Sequence, residues 1–227
     1  MTYLGDQKEH WETGYFAPNV ESFVFRFYGR ILSKDFGIDG RKGERILDFG
    51  CGQGAAVNYF HRLGFSAFGV DISETDIEAG RQQFPQVAAN LAVIDPTPDP
   101  DRILCGGNFD CVIAVQSLYY FNDEDMATAL DNLAANMRSG GVYCASMISP
   151  RHTLFDFSQD EGNGLRLVDY NNSRIGKKKV HINFTKSEQH LLERFSMFEP
   201  VHVGFYSEKY RSDEGERHHF TFVGTKP

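Results

Sequence analysis

The apolar run Ile46-Leu47-Asp48-Phe49 breaks into Gly50-Cys51-Gly52-Gln53-Gly54 and resumes at once as Ala55-Ala56-Val57-Asn58-Tyr59-Phe60. The first run reads as a buried strand. The alternating glycines let the backbone reverse within a few residues and bring a ligand against the main chain with no Cβ between them. A helix is expected from about Ala55 to Leu63, ending at Gly64, and its first N–H groups have no partner inside the helix. Strand, glycine turn and helix in this order commit the chain to layered α/β architecture, with a ligand at the carboxyl end of the first strand.

The rest of the chain keeps that alternation. A second strand is expected at Ala67–Asp71, then a helix capped by Ser73 that ends before Pro85. A third strand lies at Leu91–Ile94, followed by the turn-rich Asp95-Pro96-Thr97-Pro98-Asp99-Pro100. The fourth, Phe109–Val115, is nearly all apolar, as a central strand covered on both faces must be. A helix over Asp123–Met137 leads through Gly140-Gly141 into a fifth strand, Val142–Met147. Upstream, Val20, Phe23, Val24, Phe27 and Ile31 recur at helical spacing within Ala17–Ser33. Ser149–Ser173, rich in Asp, Asn and Gly, has no clear period and reads as an irregular insert. Thr185–Phe195 reads as a helix capped by Ser187 or Thr185, and Val201–Phe205 and Phe220–Val223 as two closing strands antiparallel to each other.

The expected organisation is a single domain over residues 1–227. Residues 1–44 form an N-terminal helical lid, 45–148 the ligand-binding core, 149–184 an insert capping the site, and 185–227 a closing helix and strands. A net charge of −8, with Lys177-Lys178-Lys179 as the one basic run, disfavours a nucleic-acid partner. Cys51, Cys105, Cys111 and Cys144 are far apart with no CxxC pair, which suits reduced thiols rather than a disulfide frame or zinc site. The first residues lack the apolar stretch of a signal peptide, and no run approaches the ~20 apolar residues of a membrane span. A cytoplasmic protein is expected.

The acids around the turn narrow the ligand. Gly50, Gly52 and Ala55 satisfy a loosened dinucleotide fingerprint, so a nicotinamide or flavin enzyme stays in play. Asp48, two residues before the first glycine, places a carboxylate where a pyrophosphate would be repelled and an ammonium or sulfonium attracted. Asp71, 23 residues on at the end of the second strand, can accept both hydroxyls of a ribose in either kind of ligand.

Ile46-Leu47-Asp48-Phe49-Gly50-Cys51-Gly52-Gln53-Gly54 resembles motif I of the class I S-adenosylmethionine-dependent methyltransferases, with its acid-x-Gly-x-Gly-x-Gly form. Phe68-Gly69-Val70-Asp71-Ile72-Ser73 resembles motif II, Phe109 to Phe121 resembles motif IV and its following loop, and Met137-Arg138-Ser139-Gly140-Gly141-Val142 resembles the turn into strand five. The resemblance covers roughly Arg45–Met147. It implies a Rossmann-like, mostly parallel seven-stranded sheet with helices on both faces and an antiparallel last strand. It also implies S-adenosylmethionine as cofactor, S-adenosylhomocysteine as product, and no metal. Asp48, Gly50, Cys51 and Gly52 would line the methionine part, Asp71 and Ile72 the ribose and adenine edge, Asp95 the adenine amino group, and Gln116 the methyl donor. Tyr15 or Phe16 would cover the cofactor from an N-terminal lid, where aromatic faces attract a sulfonium.

Tyr119 and Tyr120 stand where many small-molecule members carry two histidines, and are expected to line the acceptor pocket. His152, after strand five, is the expected general base should a hydroxyl be methylated, since its proton must leave as the O–C bond forms. Arg151, His152, Arg166, Asp169, Asn171, Asn172 and Arg174 of the insert suit a small polar acceptor such as a sugar or nucleotide-sugar, methylated on O or N by in-line displacement. A tRNA or protein methyltransferase shares the cofactor half, and a non-catalytic cofactor-binding module or an NAD-linked oxidoreductase would share parts of it.

Overall fold

In the computed structural model, which describes residues 3–12, 19–172 and 176–227, the apolar runs pair into one seven-stranded sheet. Its strands are β1 (Arg45–Phe49), β2 (Ser66–Asp71), β3 (Leu91–Val93), β4 (Phe109–Val115) and β5 (Met137–Ile148). Three strands of the insert follow, β6 (Ser158–Gly162), β7 (Leu165–Asn172) and β8 (Gly176–Ile182), before β9 (Glu199–Glu208) and β10 (Arg217–Thr225) complete the main sheet. The order is β3-β2-β1-β4-β5-β10-β9, with β1 to β5 parallel and β10 antiparallel to both its neighbours. The chain winds outward from β1 in one direction and restarts at β4 in the other. A crevice therefore opens at the carboxyl ends of β1 and β4, where the connections diverge to opposite faces.

The helices are α1 (Tyr3–Glu12), α2 (Ser22–Phe27), α3 (Ser33–Asp35), α4 (Ala55–Arg62), α5 (Glu74–Gln83), α6 (Asp123–Ala135) and α7 (Glu188–Arg194). Alternation along the strands divides the core into two layers. Leu47, Val112 and Tyr143 pack with Leu130 and Leu133 of α6 and Leu191 of α7. Ile46, Ile113 and Cys144 pack on the other side with Phe27, Val57, Phe60 and Ile77. Three helix starts carry the caps their sequences offer: Ser73 accepts from the Asp76 amide, Asn122 from Asp125 and Ser187 from His190. Each such cap contributes about 1 kcal/mol.

Three expectations need correction. The helix expected over Ala17–Ser33 begins at Ser22, and residues 17 and 18 lie outside the described residues. It then widens into a π-helical turn, Tyr28–Leu32, before α3. The extra residue rotates the apolar face, so that Leu32 rather than Ile31 is fully buried below Phe27. Strand five starts at Met137 rather than Val142, with a register shift against β4 before Cys111.

The insert is not irregular. β6, β7 and β8 form an antiparallel sheet in which Gly162 pairs with Leu165 across Asn163-Gly164. Both turn residues have positive φ, 50° and 80°, the two-residue hairpin turn that Asn-Gly favours. That dipeptide is the legible signal; the charged outer face of the strands hid the alternation. The inner face carries Val168, Val180 and Ile182, all buried against the main core.

Candidate active site

The glycine turn is folded back over β2. The Gly50 and Cys51 amides both donate to the Val70 carbonyl, at 2.8 and 3.0 Å, and the Gly54 amide donates to the Cys51 carbonyl at 2.9 Å. Gly50 has φ 78° and Gly52 φ 51°, values at which an L side chain is strained. The two differ in what a side chain would meet. A Cβ on Gly50 would lie 2.4 Å from Ser117 Cβ, whereas one on Gly52 would meet nothing within 4 Å. Gly52 faces open space at the wall of a cavity of about 720 Å³, within the range of small-molecule sites.

Two carboxylates flank the turn. Asp48 is buried at the end of β1, and its pKa is pushed up to about 7, by burial first and then by the charge of Asp71. Asp71 accepts from the Gly52 amide on Oδ2 at 2.8 Å and from the Ser73 amide on Oδ1 at 2.9 Å. Burial raises its pKa while the Ser73 and Gly52 amides pull it down. Each oxygen keeps a second lone pair for a ligand hydroxyl. Cys51 is buried between the acids, and burial together with the Asp71 and Asp48 charges keeps its thiol protonated.

The wall has more polar groups than it satisfies. Among the described residues, Gln7 Oε1, Gln53 Oε1, Ser117 Oγ and His219 Nδ1 are buried without a hydrogen-bond partner, and all four residues line this cavity. An unpaired buried polar atom costs about 1–3 kcal/mol, so the wall suits a ligand rich in hydrogen-bonding groups. A buried and a half-buried acid, an open Gly52 and unpaired acceptors fit a nucleoside carrying ammonium and sulfonium charge.

Asp48, Gly50, Cys51, Gly52, Asp71, Ile72, Gln116, Tyr119, Tyr120 and His152 all line this one cavity. Asp95 does not, although its neighbours Ile94 and Pro96 do. Its carboxylate is exposed and accepts from the Thr97 amide at 2.8 Å, closing its own turn. Tyr15 and Phe16 lie outside the described residues.

Gln116 ends β4 with φ 56°, an unusual backbone for a residue other than glycine. Its amide donates to Ser146 Oγ at 2.9 Å and its Nε2 to Tyr206 Oη at 3.1 Å. Tyr206 stacks on His219 and Phe23, so β9 and β10 hold the Gln116 side chain from behind. Tyr119 is buried, and burial raises its phenol well above the ordinary value. His152 Nδ1 accepts from the Leu154 amide at 3.1 Å, which leaves its proton on Nε2, and burial lowers its pKa to about 4.

His219 belongs to this wall and was not singled out by spacing. The His218-His219 pair does face opposite ways on β10. His218 bonds Ser149 Oγ at 2.8 Å, while His219 lines the cavity. Gln7 was also missed. Leu4, Gln7 and Trp11 form one helical stripe inside a polar decapeptide, and that stripe lines the cavity. Tyr3 Oη is hydrogen-bonded to the Asp125 carboxylate, and the Trp11 ring meets Tyr120 edge-on at 5.0 Å.

A family model described as "Methyltransferase domain" matches residues 20–219. A ubiquinone biosynthesis O-methyltransferase of Nitrobacter winogradskyi is 27% identical over 150 residues, 63% of this chain and 56% of that protein. A magnesium-protoporphyrin O-methyltransferase of Rhodobacter capsulatus is 30% identical over 105 residues, 46% of each chain. The chain spans about half the length of these curated relatives. Among solved structures, a SAM-dependent methyltransferase from Methanosarcina mazei superposes with a TM-score of 0.67 at 14% identity, over 92% of this chain and 98% of that one, a likeness of fold.

Proposed function

Since the chain belongs to the class I S-adenosylmethionine-dependent methyltransferase family, we propose that it transfers a methyl group to an oxygen of a small acceptor with an apolar, aromatic body. The observation that carries this reading is that Asp48 and Asp71 line the same cavity as a group of aromatic residues, Trp11, Tyr119, Tyr120, Phe121 and Phe157. When bound, the cofactor supplies an electrophilic methyl on a sulfonium. The chain's own residues provide the rest. Ionised Asp48 supplies negative charge to a cationic ligand, and Asp71 accepts the ribose hydroxyls while fixing the Gly52 amide. Gln116, held by Tyr206 and Ser146, lines the same cavity.

Trp11, Tyr120, Leu154, Phe157, Val180 and Ile182 give the cavity a large apolar surface, beside the charged Glu21, Glu208 and Arg217. Three of the polar residues that suggested a sugar are engaged by other groups of the protein. Arg151 pairs with Glu216, Arg166 bonds Ser158 and lies over the Phe155 ring, and Asp169 pairs with Lys179. Arg174 lies outside the described residues. The aromatic part of this lining supports an acceptor with an aromatic body.

His152 is set up to donate from Nε2, and both it and His219 have pKa values near or below 4, so neither is a strong base. Such a site favours an acceptor hydroxyl that is itself acidic, as a phenol is. The catalysis is then mostly alignment and exclusion of water.

The test is release of S-adenosylhomocysteine from S-adenosylmethionine over a panel of phenols, saccharides and amines. Turnover confined to aryl hydroxyls is expected; turnover confined to saccharides or amines overturns the acceptor reading. In parallel, Asp71→Ala is expected to weaken S-adenosylhomocysteine binding by about 30-fold or more, the scale of about 2 kcal/mol for a hydrogen bond to a charged group. Unchanged affinity would sink the cofactor assignment.

A further inference from the structure

Gln116 is held at two points. Its amide donates to Ser146 Oγ at 2.9 Å, and its Nε2 donates to Tyr206 Oη at 3.1 Å. Ser146 is fully buried and bonds Tyr206 as well; burial raises the Tyr206 phenol to about 12 despite the bonds from Ser146 and Gln116, which pull it down. A small ring of hydrogen bonds thus joins β5, β9 and the residue that follows β4.

Tyr206 reaches this ring from a distance. β9 is an edge strand, separated from β4 by β5 and β10. Tyr206 stands opposite His219 in the register of β9 and β10, with its ring stacked on that imidazole at 5.0 Å and on Phe23 of α2 at 5.4 Å. The two stacks aim the ring across β10, so that its hydroxyl meets Gln116. Gln116 lines the cavity and Tyr206 does not.

The neighbours of Gln116 tie the ring to the ligand site. Ser117, the next residue, is packed so closely on the glycine turn that a Cβ on Gly50 would lie 2.4 Å from the Ser117 Cβ. The φ of 56° at Gln116 is a costly backbone for a residue with a Cβ, and it persists where surrounding bonds over-determine it. Strain and bonds together fix a polar side chain beside the turn.

We propose that Tyr206 is a positioning residue for the cofactor: through its hydroxyl it holds the Gln116 side chain against the ligand seated at the glycine turn. This rests on the cofactor reading above. Without that bond the carboxamide samples other rotamers in the free protein, and binding has to immobilise it. Tyr206 then acts on a ligand it does not touch.

The experiment is a double-mutant cycle, with S-adenosylhomocysteine affinity measured by calorimetry on the full chain. Tyr206→Phe removes the hydroxyl and keeps both ring stacks, and Gln116→Met removes the carboxamide at similar length. Gln116→Asn, which tolerates the left-handed backbone, takes its place if Gln116→Met does not fold. Tyr206→Phe is expected to weaken binding by about fivefold, the scale of immobilising one side chain, and the Gln116 variant by at least as much. The double variant is expected to bind no more weakly than the Gln116 variant, because Tyr206 has nothing left to hold. A purely structural role for Tyr206 would instead multiply the two losses, and that result overturns the proposal. Full affinity in Tyr206→Phe overturns it too. Failure of wild type to bind S-adenosylhomocysteine would strike the cofactor reading, and the proposal with it.

Discussion

His152, on the turn after β5, and His219, on β10, meet edge to face with ring centroids 5.4 Å apart and planes at 89°. Both rings are buried in the cavity wall, and burial is the main reason their pKa values fall to about 4 and about 3. The Arg217 charge lowers His152 further, and His152 itself lowers His219. The pair is two neutral imidazoles rather than a charged site.

That neutrality gives a pH dependence of known sign. Unfolded histidines take up protons near pH 6.5, whereas these two resist until about pH 4 and 3. Between those limits the unfolded state binds more protons, so their contribution is full above about pH 6.5 and is lost as pH falls toward 3. Asp48, with a folded pKa near 7, contributes with the opposite sign over part of the same range. His219→Gln is therefore compared with wild type at each pH by urea unfolding, where Asp48 is common to both. The variant should lose less stability than wild type between pH 6.5 and 4; parallel curves would remove His219 as a titrating element.

Asp48 also predicts proton release on binding. With a pKa near 7, the free protein is partly protonated there at pH 6.5, and a cationic ligand stabilises the ionised form. S-adenosylmethionine affinity should rise with pH from 6 to 8. Calorimetry at pH 6.5 in buffers of different ionisation enthalpy should detect release of a fraction of a proton. Asp48→Asn is expected to abolish both effects, and a wild-type affinity independent of pH would contradict the assignment.

The two glycines of the turn should separate folding from binding. Gly50→Ala places a Cβ 2.4 Å from Ser117 Cβ at φ 78°, so a large fall in thermal midpoint is expected. Gly52→Ala meets no atom within 4 Å and carries only the cost of its left-handed backbone, about 1–2 kcal/mol. It should fold, with a midpoint lowered by several degrees, yet bind S-adenosylhomocysteine at least tenfold more weakly, because the methyl enters the ligand's space. Full affinity in Gly52→Ala would place the ligand elsewhere.

Trp11 is the chain's one tryptophan, and its ring lies on Tyr120 at the cavity wall. Saturating S-adenosylhomocysteine should change its fluorescence intensity or emission maximum. Tyr120→Ala should alter the signal of the free protein. A flat titration, with binding verified by calorimetry, would mean that α1 does not cover the ligand.

The cofactor half was legible because its signals are local. A glycine turn between a strand and a helix, and an acid at the end of the next strand, are set by a few consecutive residues each, so Asp48, Gly52 and Asp71 could be named before any fold was seen. Asp95 shows what spacing does not reveal: its carboxylate accepts from the amide two residues on, closing its own turn beside Ile94 and Pro96. The insert is a second case. Asn163-Gly164 encoded the hairpin, but only docking against the main core shows which strand face is inward.

By itself, then, the sequence determined the layer architecture, the order of the elements and the glycine turn with its two acids, since backbone conformation and hydrophobic period act over short stretches of chain. Only the tertiary structure decided which distant residues complete the cavity wall. Gln7, His152 and His219 come from α1, the turn after β5 and β10, separated by most of the chain. Their burial, the unpaired atoms of Gln7 and His219 and the neutrality of both imidazoles depend on which distant surfaces pack together, and no local pattern of residues specifies that.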